Sequence, residues 1–257
     1  MKLFFRRFGQ GKPVVILHGL FGIADNWVTI GKRLSKEFEV FIPDLRNHGQ
    51  SPHSKVFDFP SLVQDLIEFT EENNLKDIML IGHSLGGITA MQFTLQNPLF
   101  VKKIIVVDIS LRKYQNYEEH QQLINAMLSV DFSIARSRSD VEQQLVGVIK
   151  SQRLRLFLLK NVYWRNKYRL DWRLNLDGIN DNLPLAYERM ADDLQFPGPA
   201  LFIRGGLSDY ILDEDFKEIC KKFPRAELST VPDATHWVHA DAPEEFYKIV
   251  YRFLMNQ

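Results

Sequence analysis

The chain has 257 residues, of which 45% are hydrophobic and 25% charged, and these proportions exclude an intrinsically disordered protein. Its 32 Lys and Arg residues balance 32 Asp and Glu residues, and this zero net charge argues against a protein that coats nucleic acid. The single cysteine, Cys220, excludes an internal disulfide and a cysteine-rich zinc site, and it suits a reducing compartment.

The apolar runs are too short to cross a bilayer. Arg6 and Arg7 interrupt the first of them, which also lacks the cleavage site of a signal peptide. We therefore expect a cytoplasmic protein without stable membrane insertion, as a monomer or a small homo-oligomer.

Runs rich in Val and Ile alternate with helical patterns along most of the chain. The predicted strands are Pro13–His18, Phe38–Pro43, Asp77–Gly82, Lys103–Asp108, Ala200–Arg204 and Ala226–Val231. Strands that are apolar on both faces are typical of parallel sheets covered on both sides. Because helical spacing appears between these runs, the sequence predicts an α/β fold with a mostly parallel central sheet flanked by helices.

The segment 111–195, called the cap below, breaks this alternation and shows no clear buried strand. We predict a core of residues 1–110 and 196–257 with a small helical cap inserted between its two parts. Residues 150–173 of the cap hold eight basic residues, one acid and several aromatic residues. The final helix is predicted to carry Pro243 in its first turn and Asp241 as its cap.

The strongest local motif is Gly82-His83-Ser84-Leu85-Gly86-Gly87, which matches G-x-S-x-G between a predicted strand and a predicted helix. In this setting a serine lies on a tight strand-to-helix turn as a nucleophile, and its neighbours must be small. The helix N-terminus directs the Leu85 N–H toward a developing oxyanion.

His236 is the best candidate for the general base, because it follows the last predicted strand and precedes the final helix. His239 is expected to lie on the surface at the start of a helix. Asp108 and Asp209 both follow strands and are candidates for the acid that orients the base. Sequence spacing alone favours Asp209, because it follows the penultimate predicted strand.

His18-Gly19-Leu20-Phe21-Gly22 follows the first predicted strand and can direct the Leu20 N–H toward the oxyanion. In this loop we expect His18 to have a structural role. The polar turn from Asp44 to Ser51 is interpreted as scaffolding near the mouth of the site.

With these motifs in order, together with RGG-SDY and ATHWVHADAPEEF, the sequence resembles the α/β-hydrolase superfamily over nearly its whole length. Within that superfamily it looks more closely like the YbfF-type acyl esterases. That resemblance implies Asp108 as the acid, with Ser208 as a supporting hydrogen-bond partner. It also implies acyl esters and acyl-CoA thioesters as substrates.

We therefore expect a serine hydrolase that cleaves a small-molecule acyl ester or acyl-CoA without a cofactor. The residues expected to contact the substrate are Phe21, Trp164, Tyr210 and Trp237. No metal-binding or nucleotide-triphosphate motif is present, and no nucleic-acid motif is found. The basic residues of the cap either bind phosphates or form a solvated face.

Two alternatives stay open at this point. A carbon–carbon bond hydrolase or a lactonase can use the same triad. A ligand-binding protein can keep the fold without turning over substrate.

Overall fold

A computed structural model describes residues 1–114, 117–184 and 194–256. Seven strands form the central sheet in the order β1-β3-β2-β4-β5-β8-β9, with β1 antiparallel to β3 and the other neighbours parallel. The nine described strands are β1 (Phe5–Phe8), β2 (Lys12–Leu17), β3 (Phe38–Pro43), β4 (Ile78–His83), β5 (Val101–Val107), β6 (Val162–Asn166), β7 (Arg169–Trp172), β8 (Ala200–Gly205) and β9 (Ala226–Val231).

Helices cover both faces of this sheet. The described helices are α1 (Val28–Leu34), α2 (Phe59–Glu72), α3 (Leu85–Gln96), α4 (Tyr117–Leu128), α5 (Arg138–Val146), α6 (Gln152–Leu159), α7 (Leu176–Asn182), α8 (Asp215–Lys222), α9 (Val238–Asp241) and α10 (Pro243–Met255). Buried residues of α2, α3 and α8 pack on one face of the sheet, and those of α1 and α10 pack on the other. Within the described ranges, none of these helices has the length and apolar character that a bilayer crossing requires.

The predicted fold class is confirmed, and each of the six predicted strands is present with its ends shifted by at most two residues. The edge strand β1 was not predicted. Its sequence places Arg6 and Arg7 in solvent between two half-buried phenylalanines, so it lacks the continuous apolar run of a strand buried on both faces.

The cap contains helices α4 to α7 and also the hairpin formed by β6 and β7. The expectation of a cap without strands was therefore wrong. Val162, Leu170 and Trp172 are buried, whereas Arg165 and Arg169 are exposed, so neither strand of the hairpin presents a continuous buried apolar run. Residues 115–116 and 185–193 of the cap lie outside the described residues, and the boundaries at 111 and 195 stay a prediction.

The start of α10 was predicted in part. The helix begins at Pro243, as expected, but the residue before it is Ala242. Asp241 instead ends α9, where its carboxylate accepts hydrogen bonds from the Thr235 N–H at 2.8 Å and the Thr235 hydroxyl at 2.5 Å. The predicted helix cap at Asp241 was therefore wrong, and this carboxylate fixes the loop that precedes α9.

A buried lysine joins the sheet to the end of α10. Lys103 lies on β5 and is only 4% exposed. Its ammonium donates to the backbone carbonyls of Phe253 at 2.8 Å and Leu254 at 3.1 Å, and also to that of Asn256. These carbonyls lie at the helix C-terminus, where a cation is favoured and no intrahelical donor is available.

We expect Lys103→Met to lower the free energy of unfolding by about 2 kcal/mol, because a charged donor is removed from buried carbonyls. Urea denaturation measures this change. Lys102→Met is the matched control, since Lys102 is the exposed neighbour on the same strand. Equal losses for the two variants would contradict the structural role of Lys103.

Candidate active site

Ser84 lies on the tight turn between β4 and α3. Its backbone has φ 52° and ψ −121°, a region that a non-glycine residue enters at a cost of about 1–3 kcal/mol. The Ser84 N–H donates to the Val107 carbonyl at 3.1 Å, and the N–H groups of Gly87 and Ile88 donate to the Ser84 carbonyl at 2.8 and 3.0 Å. These bonds hold the strained residue at the edge of the sheet.

Two glycines beside Ser84 are required by close backbone approach, as predicted. A Cβ atom at Gly86 would lie 2.5 Å from the His18 carbonyl oxygen and 2.6 Å from that of Leu17. A Cβ atom at Gly82 would lie 2.3 Å from the Gly86 carbonyl oxygen. The glycines therefore allow the start of α3 to pack directly against the end of β2, which brings the 18–22 loop beside Ser84.

Asp108 and His236 are in direct contact. The His236 Nδ1–H donates to Asp108 Oδ2 at 2.9 Å, and the Asp108 side chain is fully buried. Asp108 follows β5, and His236 lies in the loop between β9 and α9. Because Nδ1 is occupied, the Nε2 atom of His236 is the nitrogen available to a reacting group.

The loop after β8 completes the environment of this carboxylate. The Gly205 N–H donates to Asp108 Oδ1 at 2.9 Å, and the Ser208 hydroxyl donates to Oδ2 at 2.5 Å. Asp209, the alternative acid, is exposed, and its backbone carbonyl accepts a hydrogen bond from Arg112. Of the two candidate acids, the structure brings Asp108 to His236.

Two aromatic neighbours fix the position of the His236 ring and backbone. Tyr210 stacks on the imidazole with ring centroids 3.8 Å apart and an interplanar angle of 23°. His83, which is buried, donates from Nε2 to the His236 carbonyl at 2.9 Å. Burial lowers the pKa of His83 well below its ordinary value, and the neighbouring His236 acts in the same direction.

The 18–22 loop is held by two buried histidines in defined tautomers. The Leu45 N–H donates to His18 Nε2 at 3.0 Å, so the His18 proton lies on Nδ1, which donates to the Gly19 carbonyl at 2.8 Å. By the same logic, the Phe21 N–H donates to His48 Nε2 at 3.2 Å, and His48 Nδ1–H donates to the Arg46 carbonyl at 2.8 Å. His18 and the polar turn that holds His48 therefore have the structural roles expected from the sequence.

A cavity of about 220 Å³ brings these groups together. It is lined by Ser84, His236, the 18–22 loop and residues of the cap helices α4 and α6. The cap side chains in its wall are Glu119, His120, Leu123, Leu154 and Phe157. Ser84 and His236 therefore line the same cavity, and residues of α4 and α6 form part of its wall.

Three of the four residues expected to contact the substrate line this cavity, namely Phe21, Tyr210 and Trp237. Trp164 does not. It lies on β6, pairs with Leu170 across the hairpin and is 49% exposed. The predicted substrate contact by Trp164 is therefore not supported, because the hairpin carries this side chain away from the cavity.

The basic residues of the cap have different surroundings. Arg155 is buried, and its guanidinium binds Glu142 at 3.3 Å and the carbonyls of Ile149 and Lys150. Arg153 is 46% exposed, forms an ion pair with Asp241 and lies 5.0 Å from the ring centroid of Trp237. These contacts of Arg155 are therefore all within the cap, whereas Arg153 lies next to a residue of the cavity wall.

Several residues of the cavity wall were not predicted from the sequence. His239 was expected on the surface, but it stacks on Trp27 with ring centroids 4.0 Å apart, and both rings line the cavity. Burial lowers the pKa of His239 to about 3 and that of His120 to about 4, so both rings are neutral near pH 7. The repeated histidine in His236-Trp237-Val238-His239 was the available signal for His239.

The described ranges contain no cluster of three or more His, Cys, Asp or Glu side chains arranged as metal ligands.

Comparison with known proteins identifies the family. Residues 12–243 match the family described as alpha/beta hydrolase fold, and the chain belongs to this family. The predicted membership of the α/β-hydrolase superfamily is thereby confirmed.

The chain is 36% identical over 252 residues to the sn-1-specific diacylglycerol lipase ABHD11 of Danio rerio, across 96% of this chain and 79% of that protein. It is 29% identical over 247 residues to the esterase YbfF of Escherichia coli strain K12, across 95% of this chain and 94% of that protein. A solved structure of a marine microorganism esterase is 42% identical, with a TM-score of 0.95 over 98% of this chain and 99% of that one. These names support the prediction of an ester hydrolase and the resemblance to YbfF-type esterases.

The buried histidines predict a loss of stability in acid. Burial holds the pKa of His48 at about 3 in the native protein, below its ordinary value of 6.5. Between these values the unfolded chain binds a proton that the native His48 does not, so the free energy of unfolding falls as the pH falls below 6.5. His48 accounts for up to one of the protons that the unfolded chain binds and the native protein does not. We expect His48→Gln to remove this contribution, which reduces the slope of the free energy of unfolding against pH by about 1.4 kcal/mol per pH unit. Urea unfolding between about pH 6 and about pH 4 tests this, and equal slopes would contradict it.

Proposed function

We propose that the protein hydrolyses small acyl esters through a triad of Ser84, His236 and Asp108 and an acyl-enzyme intermediate. The observation that carries this proposal is the 2.9 Å hydrogen bond from His236 to the buried Asp108, at a cavity that Ser84 also lines. In such a triad the carboxylate fixes the imidazole tautomer and stabilises the imidazolium that forms during the reaction.

In the first step, Ser84 Oγ attacks the ester carbonyl carbon and its proton passes to His236 Nε2. The π-electron pair of the carbonyl moves onto its oxygen, which becomes an oxyanion. The N–H groups of Leu20 and Leu85 are the proposed donors to this oxyanion. Leu85 is the first residue of α3, so its N–H has no intrahelical acceptor and lies at the positive end of the helix dipole.

When the tetrahedral intermediate collapses, the bond to the alcohol oxygen breaks and His236 gives its proton to that oxygen. The acyl group is then bound to Ser84 Oγ. A water molecule attacks this acyl-enzyme while His236 takes one of its protons. Collapse of the second intermediate releases the carboxylic acid and returns the proton to Ser84. Acyl transfer to water needs no cofactor in this scheme.

We propose a short acyl group for the substrate. The cavity of about 220 Å³ is smaller than the roughly 300–1,000 Å³ of pockets that enclose drug-sized ligands. Its cap wall combines Leu123, Leu154 and Phe157, which suits an apolar chain. We also propose that 111–195 acts as a cap that closes this space above Ser84.

An acyl-CoA thioester is the second candidate substrate, since its carbonyl can react by the same steps. The observation that favours it is Arg153, whose half-exposed guanidinium pairs with Asp241 on one side and lies next to the Trp237 ring in the cavity wall. A guanidinium in this position can pair with a phosphate, while the aromatic face stays available to the rest of the ligand.

We expect Ser84→Ala to abolish turnover of p-nitrophenyl acetate and labelling by a fluorophosphonate. Asp108→Asn is expected to lower kcat by about 10⁴-fold, because the imidazole loses its orienting acceptor. Asp209→Asn is the matched control and is expected to change kcat by less than about threefold. A larger loss for Asp209→Asn than for Asp108→Asn would contradict the proposed triad.

We expect Arg153→Gln to raise KM for acetyl-CoA by about tenfold, which corresponds to the loss of one charge-assisted contact, and to leave KM for p-nitrophenyl acetate within about twofold. Lys150→Gln is the control, because Lys150 is an exposed cap cation whose ammonium donates to the Gly147 carbonyl. Equal changes for both substrates would reject acyl-CoA as a ligand recognised through Arg153.

The alternatives from the sequence can be separated in the same assays. A panel of acyl esters, lactones and 1,3-diketones compares an esterase with a lactonase and a carbon–carbon bond hydrolase. A protein that binds ligands without catalysis would show neither a burst nor turnover with any of them.

A further inference from the structure

We propose that Asn161 of the cap is a positioning residue that holds the oxyanion loop in its working conformation. Its side-chain Nδ2 donates to the backbone carbonyl of Phe21 at 2.8 Å, although the two residues are 140 positions apart in the chain. This inference rests on the proposed function, because it assigns the Leu20 N–H to the oxyanion.

Residues 19–22 form a turn with a strained residue in it. The Gly22 N–H donates to the Gly19 carbonyl at 2.9 Å, which makes residues 19–22 a turn, and Phe21 has φ 61° at its third position. A positive φ at this position alone is typical of a type II turn, which prefers glycine there. Phe21 is bulky, so its conformation is strained and the surroundings must impose it.

The direction of the Leu20 N–H depends on the peptide between Gly19 and Leu20. The Gly19 carbonyl and the Leu20 N–H belong to one trans peptide group and point in opposite directions. His18 Nδ1 and the Gly22 N–H both donate to the Gly19 carbonyl, so they fix the plane of this peptide. The Leu20 N–H keeps its direction for as long as the turn keeps its shape.

Two side chains hold the strained residue Phe21 in place. The Phe21 N–H is bound by His48, and the Phe21 carbonyl is bound by Asn161. The peptide groups on both sides of Phe21 are thus fixed, one from the core and one from the cap. Without the contact from Asn161, the peptide between Phe21 and Gly22 can rotate. The Gly22 N–H belongs to this peptide, so its rotation would withdraw that donor from the Gly19 carbonyl and release the peptide that carries the Leu20 N–H.

The chemistry of Asn161 supports a role beyond packing. The residue is fully buried, and its Oδ1 atom is buried without a hydrogen-bond partner. A buried acceptor without a partner lowers stability by about 1–3 kcal/mol, and an apolar side chain of similar volume such as leucine would avoid this loss. Leucine, however, cannot donate a hydrogen bond to the Phe21 carbonyl. A donor is what this position requires, because a carbonyl oxygen can only accept.

The test compares Asn161→Leu and Asn161→Asp with the same changes at Asn182. Asn182 is a matched control because its Nδ2 also donates from the cap to a core carbonyl, that of Lys55, at 2.8 Å. The same Nδ2 donates to a carbonyl of its own helix at 2.8 Å. We expect Asn161→Leu to lower kcat for p-nitrophenyl acetate by about 10- to 100-fold with KM within about threefold, somewhat less than complete loss of an oxyanion donor. Inhibition by a boronic acid, whose adduct with Ser84 mimics the oxyanion, is expected to weaken by the same factor.

Asn161→Asp supplies a readout that a packing role would not move. An ionised carboxylate at position 161 cannot donate to the Phe21 carbonyl, whereas a protonated carboxyl group can. Burial favours the protonated form. The ratio of kcat for Asn161→Asp to kcat for the unmodified protein is therefore expected to rise as the pH is lowered from about 8 to about 5.5. Thermal denaturation confirms that each variant is folded under assay conditions, and the Asn161→Asp variant decides the matter if the Asn161→Leu variant does not fold.

Three results would overturn this inference: kcat of Asn161→Leu within about twofold of the unmodified protein, losses equal to those of Asn182→Leu, or a kcat ratio for Asn161→Asp that does not change with pH. Ser84→Ala is measured in the same assay. Turnover that survives Ser84→Ala contradicts the proposed function itself. Turnover that is lost there but unaffected by the Asn161 variants contradicts only the role of Asn161.

Discussion

The hydrogen bond between Asp108 and His236 is the contact that organises the carboxyl edge of the sheet. It joins residues 128 positions apart, one after β5 and one after β9, across the intervening strand β8. The last residue of β8 contributes the Gly205 N–H, and the loop after it contributes the Ser208 hydroxyl, to the same carboxylate. One buried side chain therefore ties three loops together, and its burial without these donors would be strongly unfavourable.

Backbone strain in this protein is concentrated at the same edge. Among the described residues, the non-glycine positions with positive φ are Phe21, Asn47, Asn74, Asp77, Ser84 and Asp108. Asn and Asp tolerate this conformation because their short polar side chains bond locally. Ser84 and Phe21 are the two exceptions, and both line the cavity. Strain that local sequence does not explain thus marks Ser84 and the 18–22 loop, the proposed nucleophile and the proposed oxyanion loop, where the surrounding hydrogen bonds impose it.

Much of this arrangement follows from local sequence. The buried strands of a parallel sheet are continuous apolar runs, so six of the seven sheet strands were predicted, and the turn at Ser84 was predicted from glycines that close backbone approach requires. The edge strand β1 and the cap hairpin were missed because exposed arginines interrupt their apolar residues. His236 could be placed by chain order, since the loop after the last strand ends at the same edge as Ser84. The rest of the site depends on contacts that spacing does not encode. Asp108 and Asp209 both follow strands, and what separates them is that one is buried against His236 while the other is exposed. Asn161 gave no signal, because an isolated asparagine in a loop has the same sequence appearance whether it is solvated or buried.

Polar contacts between the cap and the core connect the two halves of the cavity wall. Asn161 binds Phe21, Asn175 binds Asn47 and Ser54, and Asn182 binds Lys55. These contacts are directional, so they fix the cap relative to the core loops more narrowly than apolar packing alone. Because α4 and α6 line the space above Ser84, these contacts act on the space proposed for the acyl group, and the contact from Asn161 also holds the loop beside it. Changes in the cap that displace Asn161 are therefore expected to alter the proposed oxyanion geometry together with the space for substrate, since this buried amide joins the cap directly to that loop.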